Sequence, residues 1–202
     1  MHALPLAAQV ARQVLDDDPQ ILTEALRDDV NLAVWRRTLD PSLSECAEAM
    51  LAQGPLAWSE VVGPDDAGAR LAERMQPYAH LPGAALLCSD LHWLVEAFAC
   101  LTGAQRIGMR LRGLDRAMCP RWHVDHVPLR LITTYVGLAS LWSPDSEPDA
   151  ATLEAHSLAA GDVGLFKGEK WSGNEGRGIL HRSPSPQPGE QRLLLTLDWL
   201  SA

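Results

Sequence analysis

Cys119-Pro-Arg-Trp-His123-Val-Asp125-His126-Val-Pro128 decides how the rest of this chain is read, together with Ile179-Leu-His181-Arg-Ser-Pro184 and Gln191-Arg192-Leu-Leu-Leu195. Residues two apart share a face of an extended chain, whereas on a helix they diverge by about 200°. His123 and Asp125 can therefore serve one ion only if the segment is extended. Pro120 and Pro128 bracket the pair and bias the residues before them away from helix. Leu129 to Val136, rich in β-branched and aromatic residues, reads as the strand that follows.

Two imidazoles and one carboxylate make the facial triad that leaves positions open on non-haem Fe(II). His181 is the candidate for the second imidazole, completing a metal set of His123, Asp125 and His181. Arg192 opens another strand-like run, and its guanidinium can grip a carboxylate with two parallel hydrogen bonds. Tyr135 falls in phase with His123 and Asp125 if the strand runs without a bulge, which makes it a second cofactor-binding candidate. By the same count Arg130 falls on the wrong face.

This order of His-x-Asp, distant His, then Arg resembles the Fe(II)/2-oxoglutarate-dependent dioxygenases, whose core is a cupin-type double-stranded β-helix. The closer resemblance is to a bacterial family of unknown function with the same Cys-Pro-x-x-His-x-Asp opening and a His-Arg-Ser-Pro near the C-terminus. The resemblance implies Fe(II) at the triad, 2-oxoglutarate chelating it with its far carboxylate on Arg192, and hydroxylation of a substrate that the sequence does not name.

The 202 residues carry a formal net charge of −9 with a pI near 5.2. That is no footprint for nucleic acid and suits a small-molecule substrate. No cationic leader precedes the first apolar patch, and no segment approaches the roughly 20 apolar residues that span a bilayer, so a cytoplasmic protein is expected. Cys46, Cys88, Cys100 and Cys119 are too dispersed for a Cys-x-x-Cys motif and are expected as reduced, mostly buried thiols.

Along the chain, helices are expected over Leu4 to Leu15, Gln20 to Arg27, Leu43 to Ala52 behind a Ser42/Glu45 capping box, and up to Met75 behind Asp65 or Asp66. A longer helix opening at Ser89 or Asp90 is stopped by Gly103. Val30 to Trp35 is an early strand. From Arg106 the pattern alternates, and strands are expected at Ile107 to Leu111, Leu153 to Leu158, Asp162 to Phe166, around His181, and from Arg192 to Trp199. The expectation is an α+β single domain over 1–202, with a mainly helical buttress (1–104) packed on a C-terminal double-stranded β-helix (105–202).

Cys119 carries the rival reading. A thiolate four residues before His123 would complete a tetrahedral zinc site with His123, Asp125 and His181, as in a cupin-like protein of metal homeostasis without oxygenase activity. His126 alternates away from the site. His80, His92 and His156 read as ordinary core or surface residues, while Trp122 and Trp171 are candidates to line a substrate pocket.

Overall fold

The computed structural model describes residues 11–145 and 153–200. Strands β1 (Arg12–Asp16), β2 (Val30–Trp35) and β3 (Ala57–Val62) come from the N-terminal half, around a 3-10 helix over Pro19–Leu26. Helices α1 (Pro41–Ala52), α2 (Ala67–Met75) and α3 (Ala84–Thr102) follow the same half of the chain. Then come β4 (Ile107–Leu114), β5 (Leu129–Val136), β6 (Leu141–Ser143), β7 (His156–Ser157), β8 (Val163–Lys167), β9 (Leu180–Arg182) and β10 (Arg192–Trp199).

Two sheets result. The larger has the order β1-β2-β8-β5-β10-β4-β3, the smaller β7-β6-β9. An isolated bridge between His123 and His181 adds the His-x-Asp segment to the open side of β9. From β4 onward the chain passes back and forth between the sheets, so each return to the large sheet carries one wall of the space between them.

That space and the helix layer divide the core in two. On the outer face of the large sheet, Leu87, Leu91 and Phe98 of α3 pack on Met109, Leu111, Leu195 and Leu197. Between the sheets, Leu32, Val34, Ile132, Trp142, Phe166, Ile179 and Leu194 form a second cluster. A central strand covered on both faces is normally apolar throughout. On β10 the helix-facing Leu193, Leu195 and Leu197 obey that rule, but the opposite face carries Arg192, Thr196 and Asp198, all buried. Burying them is costly unless they are partnered, which marks this face as the functional one.

Several local expectations are corrected. Residues 12–16 are a strand, because pairing in parallel with β2 overrides a weak helical pattern; the rest of that expected helix lies largely outside the described residues. The N-terminal half also supplies β3, paired antiparallel with β4, so three of the seven large-sheet strands precede residue 104. Helix α1 begins at Pro41, with the Asp40 carboxylate accepting from Ser42 N at 2.8 Å, so Asp40 rather than Ser42 is the cap. Helix α3 begins at Ala84 after Gly83, and it does stop at Gly103. By length and composition α3 could cross a bilayer, contrary to the sequence expectation, but its apolar stripe is packed in the core. Leu153 to Leu158 is strand only at His156–Ser157. Of the four cysteines, all free thiols, only Cys46 is buried.

Candidate metal and cosubstrate site

The two sequence motifs are hydrogen-bonded to each other. His123 N donates to His181 O at 3.1 Å and His181 N returns to His123 O at 3.0 Å. Ser183 N donates to Cys119 O at 2.8 Å, and Cys119 N to Ser183 Oγ at 3.3 Å. Such a directly opposed antiparallel pair puts both side chains on one face. The imidazole centroids are accordingly 4.4 Å apart. Beyond His123 the chain folds over the end of β8: Glu169 N donates to Asp125 O at 2.9 Å and Gly168 N to Pro128 O at 3.0 Å. These bonds aim Asp125 back at the histidines, and the three potential ligand atoms lie within 4.8 Å of one another.

The hydrogen bonds also fix what those atoms offer. His123 Nδ1 is 3.0 Å from Arg121 O, and His181 Nδ1 is 3.2 Å from Ile179 O. A carbonyl only accepts, so each Nδ1 carries the proton and each neutral ring presents a lone pair at Nε2. His181 Nε2 stands 3.2 Å from Asp125 Oδ2. That oxygen is buried with no hydrogen-bond donor. Three acceptors converging without a donor repel one another, and a cation between them relieves this. Two imidazoles and a carboxylate suit a first-row transition metal and leave coordination positions open.

Arg130 takes the other oxygen of the carboxylate, donating from Nη1 to Asp125 Oδ1 at 2.6 Å. Its Nε and Nη2 bind the buried Asp198, which Arg110 also reaches. Burial alone would raise the Asp125 carboxyl, but His181, Arg130 and His123 around it hold it below the ordinary carboxylate range.

Arg192 is 2% exposed and faces no carboxylate. Nη1 donates to Leu138 O at 3.1 Å, Nη2 lies 3.5 Å from Ser140 Oγ, and Nε has no partner. Burial pulls its pKa down to about 10, which leaves it charged at neutral pH. A narrow cleft of about 30 Å³ runs past His123, His181, Arg130, Thr196, Leu194 and Arg192.

The structure thus brings together His123, Asp125, His181 and, further along the same cleft, Arg192. Tyr135 is elsewhere. It is buried on the helix side of the sheet and donates to Asp90 Oδ2 at 2.6 Å, and Asp90 also pairs with Arg37. Arg130, expected on the wrong face, holds Asp125 instead. Both corrections have one cause: residues 124–128 are not strand, so the parity counted from His123 restarts at Leu129, where β5 begins. Tyr135→Phe is therefore expected to cost about 1 to 3 kcal/mol of stability by orphaning Asp90 and Arg37. Chemical denaturation reads that loss, and metal and cosubstrate affinities should stay within about twofold.

Cys119 lines the cleft, but its sulfur is outside the three-atom cluster. Trp122 lies under the Arg182 guanidinium at 4.8 Å, while Trp171 packs on Lys167 and Trp199, away from the cleft. His126 is exposed beside Glu169, and His80, His92 and His156 take no part in the cluster. Arg130 and Asp198 were the residues sequence reasoning missed. An acid and an arginine on otherwise apolar central strands were the available signal.

Two solved structures share this architecture. A dioxygenase for auxin oxidation from rice superposes with a TM-score of 0.55 at 14% identity, covering 89% of this chain and 77% of that one. A dioxygenase for auxin oxidation from Arabidopsis thaliana, solved as a 2-oxoglutarate binary complex, gives 0.57 at 10% identity, covering 95% and 93%. The fold and its His-Asp-His group are those of the Fe(II)/2-oxoglutarate oxygenase class, at low sequence identity. Within that architecture, residues 16–198 match the family described as protein of unknown function DUF1826, and the chain belongs to that family. No curated protein matches the sequence.

Proposed function

We propose that this protein is a non-haem Fe(II)/2-oxoglutarate-dependent dioxygenase that hydroxylates a small-molecule substrate, built as one domain around a double-stranded β-helix. The observation that carries the reading is the pairing, in one cleft, of three converging acceptors with a buried arginine that has no acid partner.

Iron, with 2-oxoglutarate and O2, supplies the oxidising power: 2-oxoglutarate, O2 and R–H become succinate, CO2 and R–OH. The chain's own part is binding and orientation. His123 and His181 present Nε2, and Asp125 presents Oδ2. Arg130 occupies Oδ1, so Asp125 gives the metal a single oxygen and leaves more positions open. Arg192 donates to the far carboxylate of 2-oxoglutarate, with the Ser140 hydroxyl at hand. Ile132 and Leu194 line the cleft between and exclude water. The cleft is too narrow for the cosubstrate as it stands, so binding moves aside the side chains at its mouth, Met118 and Arg182.

Anaerobic titration of the apoprotein with Fe(II) and 2-oxoglutarate tests this. The expected result is a weak visible charge-transfer band from the chelate. In Arg192→Ala metal binding should persist while 2-oxoglutarate affinity falls at least about tenfold, the worth of a lost charge-assisted hydrogen bond to a carboxylate. Tight zinc binding that depends on Cys119, with no band, would replace the oxygenase by the zinc-binding reading.

A further inference from the structure

The protein is acidic overall, but its charge is not evenly spread. Residues 106–130, which lead into and contain the His-x-Asp segment, hold Arg106, Arg110, Arg112, Arg116, Arg121 and Arg130 against only Asp115 and Asp125. That stretch is net +4 by count, in a chain of −9. The cleft repeats the pattern: Arg130, Arg182 and Arg192 line it, with no carboxylate among the lining residues.

Pairing sharpens the contrast. Arg12, Arg27, Arg36, Arg37, Arg70 and Arg74, all away from the cleft, each have a carboxylate within 4.0 Å. Among the described residues, Arg112, Arg116, Arg121, Arg182 and Arg192 have none, although the chain holds 26 acidic residues. Only Arg106 and Arg177 are similarly unpaired elsewhere. Arg130 is committed to Asp125 and Asp198, and Arg192 is assigned above to the cosubstrate.

Two arginines at the mouth are left without a task. Arg182 directly follows the ligand His181, and its guanidinium lies over the ring of Trp122, which directly precedes the ligand His123. Stacking holds the guanidinium plane and leaves its edge free to donate, and its Nε is buried with no partner. Arg112 shares its face of β4 with Arg110, which reaches Asp198. Its only polar contact is Nη1 to Met118 Sδ at 3.9 Å, its Nε is likewise buried without a partner, and Met118 lines the cleft. A thioether is a weak acceptor for a cation. Partnerless guanidinium groups close to a bound metal repel it and each other, so their placement costs stability unless an anion occupies the mouth.

We infer that the substrate to be oxidised carries an anionic group, a carboxylate or a phosphate monoester, held at the cleft mouth by Arg182 on its Trp122 platform and by Arg112. The inference names the substrate class of the oxygenase proposed above and rests on that reading.

The test uses full-length protein loaded with Mn(II) and 2-oxoglutarate, and follows tryptophan fluorescence on titration with phenylacetate, phenyl phosphate and the uncharged phenylacetamide. At least one anion should bind about tenfold or more tighter than the amide, the factor expected of one charge-assisted hydrogen bond. Which anion prevails distinguishes carboxylate from phosphate. Arg182→Ala and Arg112→Ala should each lose most of that preference, Arg182→Lys should retain part of it, and Arg70→Ala should retain all. Retained Mn(II) affinity in the variants shows that their sites are folded. Amide binding as tight as either anion, an anion preference that survives both alanine variants, or no binding of either anion would overturn the inference. The titration without 2-oxoglutarate is read separately: an Arg182- and Arg112-dependent anion preference in a protein that fails to bind 2-oxoglutarate would keep the anion site and remove the oxygenase.

Discussion

Replacing His181 by alanine is expected to abolish metal-dependent stabilisation of this protein while leaving the metal-free fold within a few tenths of a kcal/mol to about 1 kcal/mol of wild type. The loss should be total for an ordinary buried side chain, yet small here, because two terms oppose each other. Truncating a side chain that is 5% exposed leaves a cavity. It also removes one of three crowded acceptors, ending the repulsion between His181 Nε2 and Asp125 Oδ2. With metal the balance reverses. A ligand at about 100 times its dissociation constant stabilises the native state by about 2.7 kcal/mol. Losing one of three protein ligands should lower affinity by more than the 10–100-fold typical of removing an outer partner. Thermal melts under argon, with and without Fe(II), read both numbers. A metal-dependent rise in Tm that persists in His181→Ala would sink the assignment. Cys119→Ser should keep that rise, since its sulfur lies outside the cluster.

What was legible in the sequence was whatever depended on local pattern and chemical type. Proline-bracketed His-x-Asp, a second His in a short apolar run, and an arginine opening a strand each carry their chemistry in a few residues. Strands β2, β4, β5, β8 and β10 could likewise be read from alternation. What depended on partners far along the chain was not. Residues 12–16 become a strand only because β2 offers a free edge. Asp90, expected as a helix cap, is in the body of α3, where it meets Arg37 and Tyr135. Tyr135 and Arg130 exchanged places because one irregular segment resets the side-chain parity, and nothing local in Val124 to Val127 says where the count restarts. The orphaned Asp125 oxygen and the acid-free surroundings of Arg192 are facts of tertiary structure alone, yet they are the strongest marks of the site.

Gly168→Ala should be the most damaging small substitution in the chain, and it tests what holds Asp125 in place. Gly168 follows β8 directly, and its φ is not in the left-handed region, so alanine has no conformational penalty there. The obstacle is steric: an added Cβ would sit 2.1 Å from Val127 O and 2.4 Å from Asp125 O, against the roughly 3 Å such contacts need. Both obstructions are backbone, and neither can swing aside as a side chain would. The 125–128 segment must lift, breaking the bonds from Gly168 N to Pro128 O and from Glu169 N to Asp125 O. Overpacking of this kind costs about 1–3 kcal/mol. Because Asp125 rides on the displaced segment, metal affinity should fall with it, by at least about tenfold on the scale of lost ligand positioning. Gly173→Ala is the matched comparison: it has positive φ and nothing within 4 Å of its Cβ, so it should cost about 1 kcal/mol through backbone strain and leave metal binding alone. Urea denaturation and calorimetric metal titration of the two variants separate the effects. Wild-type metal affinity in Gly168→Ala would mean that the His123–His181 bridge, rather than the docking onto β8, positions the carboxylate.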